Sequence, residues 1–306
     1  MDRVRGEPIV VGIAGDSGAG KSTFIHAVRR LLGPERVLVI DLDDYHTLDR
    51  RQRKALGITP LNPRANDLDL VAEHVRQLKG GQRIRKPVYD HTTGTFGEPE
   101  EVAPREIVIL QGLLPFATPE LRSLLDIKVY FDTHPELKLR WKVKRDAEER
   151  GYRVEEVLLE ILGRLDDFRR YVEPQKSHAD MLISLIPPYG GVEPLEVPWA
   201  LLGERREFNA LVGRLAHAAY GQPLPLRRLP LDCNGQEMEA IEILGPLEVT
   251  SALTLLRRLG DLNGLTAVLE GVQESLLPAE FSQLLFAWRI EYARAAGQRD
   301  LLPKHA

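Results

Sequence analysis

Short apolar runs recur along the first 190 positions of the chain, and they alternate with stretches in which apolar residues return every three or four places. Residues 9–14 (IVVGIA), 36–42, 107–111, 127–131 and 181–186 are nearly continuous in Val, Ile and Leu, as a strand covered on both faces requires. Between them, residues 21–32, 68–78, 119–125, 135–150 and 154–168 carry the spacing of amphipathic helices. This alternation predicts an α/β fold built on a doubly wound, mostly parallel sheet. Ligands in such sheets gather at the carboxyl ends of the strands. Pro187-Pro188-Tyr189-Gly190-Gly191 suits neither helix nor strand and marks a boundary. The expected organisation is a core at 1–190 and a smaller α+β C-terminal extension at 191–306. Within the extension, 192–231 is rich in Pro, Leu and Arg and gives no clear element. Residues 238–244 alternate like a strand, and 251–259, 262–275 and 279–295 read as amphipathic helices. The extension shows no chemical signature, so its expected role is packing, an edge strand or an oligomer contact, a homodimer included.

Composition narrows the class. With 306 residues, 43% hydrophobic and 28% charged, the chain has the make-up of an ordinary globular protein. A net charge of −4 does not indicate a general nucleic-acid-binding surface. Cys233 is the sole cysteine, which rules out an intrachain disulfide. The start, MDRVRGEP, has no apolar signal region, and no run approaches the ~18 apolar residues of a spanning helix. The expectation is a cytoplasmic protein with neither nucleic-acid nor membrane partners.

The chemistry begins at residues 15–22, Gly-Asp-Ser-Gly-Ala-Gly-Lys-Ser, a phosphate-binding loop of the form G-x-x-x-x-G-K-[ST]. Its glycines let backbone N–H groups converge on phosphate oxygens, and the following helix presents its N-terminus to the anion. Gly15, Asp16, Ser17, Gly18, Ala19, Gly20, Lys21, Ser22 and Thr23 are therefore the candidate nucleotide-binding residues. Lys21 is placed to reach the β- and γ-phosphates and the Ser22 hydroxyl to ligate Mg²⁺. ATP and Mg²⁺ are the expected cofactors, with Ser22 and Asp43 as candidate metal ligands. Asp43, just after the second strand run, is placed to accept a proton from a hydroxyl nucleophile. His46 and Arg50 follow within two turns and suit an anionic group on the acceptor. Asp49 reads as a solvated loop residue or a helix N-cap. Tyr89 and His91 lie in a Gly- and Thr-rich loop, where substrate contact and a merely structural role are both open. Lys142, Arg145 and Asp146 fall on one helical face. That face reads either as a solvated, salt-bridged surface or as a closing segment that neutralises charge on a transferred phosphoryl group.

Residues 43–67, DDYHTLDRRQRKALGITPLNPRAND, closely resemble the phosphoribulokinases of cyanobacteria and chloroplasts. The likeness continues through KPVYDHTTG (86–94), KVKRDAEERG (142–151), RLDDF (164–168) and YVEPQK (171–176). It covers 8–186, is faint over 238–295 and is absent between. Uridine kinases are related, but His46, Arg50 and Pro63-Arg64-Ala65-Asn66 follow the phosphoribulokinase pattern. The resemblance implies ATP-dependent phosphorylation of D-ribulose 5-phosphate to the 1,5-bisphosphate, with Asp43 as the base that deprotonates the C1 hydroxyl. It implies that His46, Arg50 and Lys142 bind the sugar phosphate. Arg64 joins Arg50 and Lys142 in a cationic set that favours an anionic acceptor over a neutral nucleoside. Arg145, Asp146 and Arg150 match a mobile lid that serves nucleotide binding and catalysis, which puts Lys21 and Asp146 beside Asp43 in the catalytic set. Arg164 matches a position tied to effector response in some bacterial members.

Two departures stand out. The family has Glu-Gly-Leu-His-Pro at the end of the third strand, where this chain has Gln111-Gly112-Leu113-Leu114-Pro115, so the carboxylate that helps organise Mg²⁺ is replaced by an amide. Ala19 and Asp41 stand where the chloroplast form carries its regulatory cysteines. A sugar-phosphate kinase, a kinase of the same fold for another sugar phosphate or a nucleoside, and a weakened nucleotide-binding regulator all remain open on this reading.

Overall fold

The computed structural model describes residues 7–148, 153–188, 198–208, 210–269, 272 and 274–296. In chain order, β1 (Ile9–Ala14) leads through the glycine loop into α1 (Lys21–Leu32), and β2 (Val37–Asp41) is followed by α2 (Arg50–Leu56) and α3 (Leu68–Lys79). Four short strands come next: β3 (Ile84–Lys86), β4 (Tyr89–Asp90), β5 (Thr95–Phe96) and β6 (Glu100–Val102). Then follow β7 (Ile107–Gly112), α4 (Pro119–Leu124), β8 (Ile127–Phe131), α5 (Pro135–Glu148), α6 (Val154–Gly163), α7 (Leu165–Asp167) and β9 (Met181–Ile186). The remainder holds β10 (Trp199–Arg205), α8 (Val212–Ala218), β11 (Leu226–Cys233), β12 (Gln236–Ile243), β13 (Leu247–Glu248), α9 (Val249–Leu259), β14 (Ser275–Leu276) and α10 (Pro278–Ala295).

These elements group into two compact units. The first comprises Met1–Lys21, Glu35–Phe131 and Lys138–Ala179. Its sheet is parallel throughout, with β1 between β7 and β8 and with β2 on the far side of β7. Every residue of β1 and β7 is buried, which is why their sequences are unbroken apolar runs rather than alternating ones. Parallel register brings Ala14 level with Gly112 and Tyr130, and Asp41 level with Gln111. The strand ends that carry the chemistry therefore open at one edge, as the α/β reading requires. Two small hairpins, β3–β6 and β4–β5, carry the 84–102 segment.

The second unit comprises Ser22–Pro34, Asp132–Leu137 and Asp180–Ala306. Its strands run antiparallel in the order β9, β10, β12, β11. Glu204 on β10 is buried, accepts hydrogen bonds from the Leu211 and Val212 amides at 2.7 and 3.2 Å, and pairs with Arg289 of α10 at 2.9 Å. That pairing satisfies a charge that would otherwise be costly to bury. Among the described residues no helix is long and apolar enough to cross a membrane.

Among the described residues of 262–275 the expected helix does not form, and a 3₁₀ turn, Ala267–Leu269, is the helical element there. Asn263 and Gly264 both take the left-handed backbone, at φ 52° and 70°, which a right-handed helix does not admit. Asp261 instead closes a turn by accepting from the Thr266 amide and hydroxyl at 3.1 and 2.6 Å. The segment ends in β14, which pairs with β13. The helix expected over 154–168 is interrupted at Arg164, between α6 and α7, after which a π-helical turn, Phe168–Val172, carries the chain on. The stretch that gave no element in sequence contains β10, α8 and the start of β11.

Candidate active site

The glycine loop is shaped by what lies against it. Gly18 and Gly20 adopt φ of 79° and 92°, conformations that L side chains rarely take. A Cβ on Gly18 would also lie 2.9 Å from Lys142 Cβ, and one on Gly20 would lie 3.3 Å from the Trp141 ring, so α5 packs directly on the loop. Lys21 is buried and folds back, donating to the carbonyls of Gly15 at 2.8 Å and Asp16 at 2.7 Å. Burial lowers its pKa to about 8 against the opposing pull of Asp16, Asp43 and Asp41. Asp16 is gripped by Lys138 at 3.0 Å and Arg164 at 2.9 Å, and accepts from the Ser17 amide at 2.7 Å. Burial would raise its pKa, yet those cations hold it below the ordinary carboxylate value. Ala19 is buried in the loop, and Ser22 and Thr23 are exposed in the first turn of α1.

At the end of β2, Asp41 caps the short 3₁₀ turn Leu42–Tyr45 by accepting from the Asp43 amide at 3.0 Å. The turn carries Asp43 between two histidines, with His46 Nε2 at 3.9 Å and His91 Nε2 at 3.5 Å from its carboxylate oxygens. The amide of Asn66 is oriented by donating to the carbonyls of Pro60 and Asn62 at 3.0 and 2.9 Å. Its oxygen therefore faces His46 Nδ1 at 2.9 Å and assigns that nitrogen the proton. Burial keeps the pKa of His46 below the usual value despite the nearby Asp43 charge. Tyr89 packs its ring edge-on to both histidines, with centroids at 5.0 and 5.2 Å, and its hydroxyl accepts from Arg53 at 2.9 Å. It is buried, with its ring in contact with both imidazoles. Asp44 receives Lys86 at 2.5 Å and the Tyr89 amide at 2.8 Å, tying the turn to the 84–102 hairpins. Arg50 donates to the His91 carbonyl at 2.5 Å and keeps an exposed guanidinium. Arg64 is exposed on a segment anchored to the turn by the Thr47 amide, which donates to the Ala65 carbonyl at 2.9 Å. Asp49 is the N-cap of α2 and forms a reciprocal capping box with Gln52.

On α5, Lys142 is buried and donates to Asp146 at 2.8 Å and Glu160 at 3.3 Å, while Arg145 Nε donates to the other Asp146 oxygen at 2.9 Å. Burial works against the Asp146 carboxylate, but the bonds from Arg145 and Lys142 hold its pKa below the ordinary value. Lys142, Arg145 and Asp146 thus satisfy one another beside the loop. Arg150 lies outside the described residues.

The pair Asp41–Gln111 completes the strand ends. Gln111 Nε2 donates to Asp41 Oδ2 at 3.2 Å, whereas Gln111 Oε1 is buried with no hydrogen-bond partner in the structure. Burial, reinforced by the Asp43 charge, pushes the Asp41 carboxyl up to about 7. Among the described residues no three His, Cys, Asp or Glu converge as a metal cage. A divalent cation here would take ligands from nucleotide phosphates and water as well as from the protein, the habit of Mg²⁺. The Asp41 and Asp43 carboxylates and the orphaned Gln111 oxygen suit such a water-rich shell.

Lys138, Lys86 and Arg53 were not singled out in the sequence, and Asn66 entered only as the last residue of the Pro63-Arg64-Ala65-Asn66 pattern. Lys138 lies one turn before Lys142 on α5, so the same-face spacing carried a signal for it. Lys86 opens the KPVYDHTTG motif, but its partner Asp44 is 42 positions away and no local pattern joins them.

The description of the phosphoribulokinase/uridine kinase family matches residues 10–189. Phosphoribulokinase of Synechocystis sp. is 48% identical over 187 residues, 61% of this chain and 55% of that one. The chloroplastic phosphoribulokinase of Mesembryanthemum crystallinum is 42% identical over 198 residues, 59% of this chain and 50% of that one. Uridine kinase of Ligilactobacillus salivarius is 31% identical over 189 residues, 60% of this chain and 87% of that one. The chain spans about half the length of the phosphoribulokinases it matches. Among solved structures, phosphoribulokinase from Rhodobacter spheroides superposes with a TM-score of 0.55 at 18% identity, covering 76% of this chain and 90% of that one, a likeness of fold. With the family pattern spanning the parallel sheet, the glycine loop and the Asp43 turn, the chain belongs to the phosphoribulokinase/uridine kinase family.

Proposed function

We propose that the chain transfers the terminal phosphoryl group of ATP to a hydroxyl of a phosphorylated sugar, D-ribulose 5-phosphate first, giving D-ribulose 1,5-bisphosphate. The observation that carries this reading is the Asp43 carboxylate, set between two imidazoles and within the electrostatic reach of Lys21. A carboxylate there can take the proton from an acceptor hydroxyl as its oxygen attacks. His46, with Nδ1–H committed to Asn66, holds its Nε2 3.9 Å from the same carboxylate. The loop amides and Lys21 hold the nucleotide phosphates and stabilise charge on the transferred group. Bound Mg²⁺ supplies charge neutralisation and orientation of the phosphates, with Ser22 and the strand-end carboxylates as its protein-side ligands. Arg50, Arg64 and Lys142 form the cationic set that suits a sugar phosphate better than a neutral nucleoside, Lys142 sharing its charge with Asp146 and Glu160. A coupled ADP-release assay with ribulose 5-phosphate and uridine side by side tests this. Turnover on the sugar phosphate at a kcat/KM far above that on uridine is expected. Preference for uridine would assign the nucleoside-kinase alternative, and ATP binding without turnover on either would favour a nucleotide-binding regulator.

A further inference from the structure

The neutral residue at 111 and the acidic residue at 41 are partners in one ladder. Asp41 on β2 lies directly opposite Gln111 on β7 in the parallel register, and the two side chains are joined by the 3.2 Å bond from Gln111 Nε2 to Asp41 Oδ2. That bond fixes the amide's orientation. It turns Oε1 away from Asp41, and Oε1 is buried, on a side chain only 8% exposed, with no donor to receive. An amide oxygen buried without a partner carries a standing desolvation cost, which a donor-bearing ligand would relieve. Asp41 itself accepts from the Asp43 amide and from Gln111, and neither is a cation. Asp41 is half-buried, and the Lys21 charge that acts on it donates its hydrogen bonds to the Gly15 and Asp16 carbonyls, so a cation arriving with a ligand would relieve the cost of the carboxylate's charge.

We propose that Asp41 and Gln111 act as one unit that recognises the divalent cation accompanying the nucleotide: Asp41 supplies the charge, and Gln111 Oε1 accepts a hydrogen bond from a metal-bound water. The inference rests on the nucleotide-kinase reading for the presence of that cation. It assigns the charge to the β2 strand end rather than the β7 strand end. Because the two positions face each other across one ladder, the charge can be exchanged between them with little change in its location.

The test uses the full chain and Mn²⁺, titrated with ADP present and followed by electron paramagnetic resonance of free Mn²⁺. Asp41→Asn is expected to weaken Mn²⁺ binding by about ten-fold or more. Gln111→Leu, which removes the orphaned oxygen, is expected to weaken it by about three-fold to ten-fold. The exchanged double variant Asp41→Asn/Gln111→Glu is expected to recover most of the loss. ADP affinity in EDTA should be unchanged in all three, which separates a metal effect from a damaged loop. Parental Mn²⁺ affinity in Asp41→Asn, or a double variant as weak as the single, overturns the proposal. If Asp41→Asn does not fold, Gln111→Leu decides alone, and unchanged Mn²⁺ affinity there also overturns it. Weakened Mn²⁺ binding in a protein that turns over neither ribulose 5-phosphate nor uridine leaves the pair standing and removes the kinase reading, while turnover with Mn²⁺ affinity indifferent to both residues does the reverse.

Discussion

At the scale of single residues, the site is a set of charges held in tension, and two of them have measurable consequences. Asp41 has a carboxyl pKa of about 7 in the folded chain against 3.8 for an ordinary aspartate, because burial and the neighbouring Asp43 both disfavour its charge. The folded state therefore binds the extra proton between those values, and stability falls as pH rises through that window. The penalty is full above about pH 7 and absent below about pH 4. Asp41→Asn keeps an N-cap acceptor, so it should be more stable than the parent by about 2 kcal/mol at pH 8 and nearly equal near pH 4, as read by urea denaturation at both pH values. A pH-independent difference would show that the carboxylate is not strained. As the proposed base, Asp43 should behave differently, since a base acts in the transition state. Asp43→Asn should lower kcat by about two to four powers of ten while KM values hold within several-fold, which steady-state kinetics will show. Near-normal turnover would mean the proton goes elsewhere. The sequence already pointed to Asp43, because a strand end facing a phosphate loop is a strong local signal. It could not reveal that Tyr89 is buried with its ring edge-on to two histidines, since its hydroxyl meets Arg53 from 36 positions away.

At the scale of elements, what could be read in advance was what local periodicity and local caps dictate. β1, β7, β8 and β9 appear within a residue of their apolar runs, because strands buried on both faces leave a continuous signature. The Asp49 cap was visible for the same reason, being local chemistry at a helix start. β10 was not legible, because its buried Glu204 reads as a surface residue until Arg289, 85 positions away, is placed beside it. The packing of α5 on the glycine loop was also hidden, since nothing in the loop's sequence names Lys142 and Trp141 as its neighbours. That contact makes a prediction. Gly18→Ala adds a methyl group at φ 79° and within 2.9 Å of Lys142 Cβ. Backbone strain of about 1 kcal/mol or more is expected, together with a displaced loop. ATP affinity should fall by at least about ten-fold while a urea midpoint shifts only modestly, because the loop is the proposed phosphate site but carries little of the core. Calorimetric titration with ATP and urea unfolding, performed together, separate the two effects. Unchanged affinity would place the phosphate elsewhere.

At the scale of the whole molecule, the chain has one thiol in 306 residues, and it is far from the chemistry in sequence and closed to solvent. Cys233 ends β11 with 2% exposure, whereas Ala19 and Asp41 occupy the loop and strand end where a switching pair would have to sit. A disulfide needs two cysteines within about 7 Å between Cα atoms, so no intrachain switch can form at the site. Turnover with ATP and ribulose 5-phosphate should therefore be unchanged, within about two-fold, after dithiothreitol or mild oxidant. Burial adds a second expectation. Reaction of Cys233 with an aromatic disulfide reagent in native buffer should be slow and limited by opening of the second unit, then become immediate in urea. Substituting Glu204→Ala, which leaves Arg289 buried without its carboxylate, should destabilise that unit by about 3 kcal/mol or more and speed native labelling in proportion. If Cys233 labels rapidly in the parent protein, β11 is not closed as described. If oxidation changes turnover reversibly and the Cys233→Ser protein responds in the same way, the change comes from something other than a thiol. If Cys233→Ser abolishes the response, the thiol acts between chains, and turnover should then depend on protein concentration under oxidising conditions.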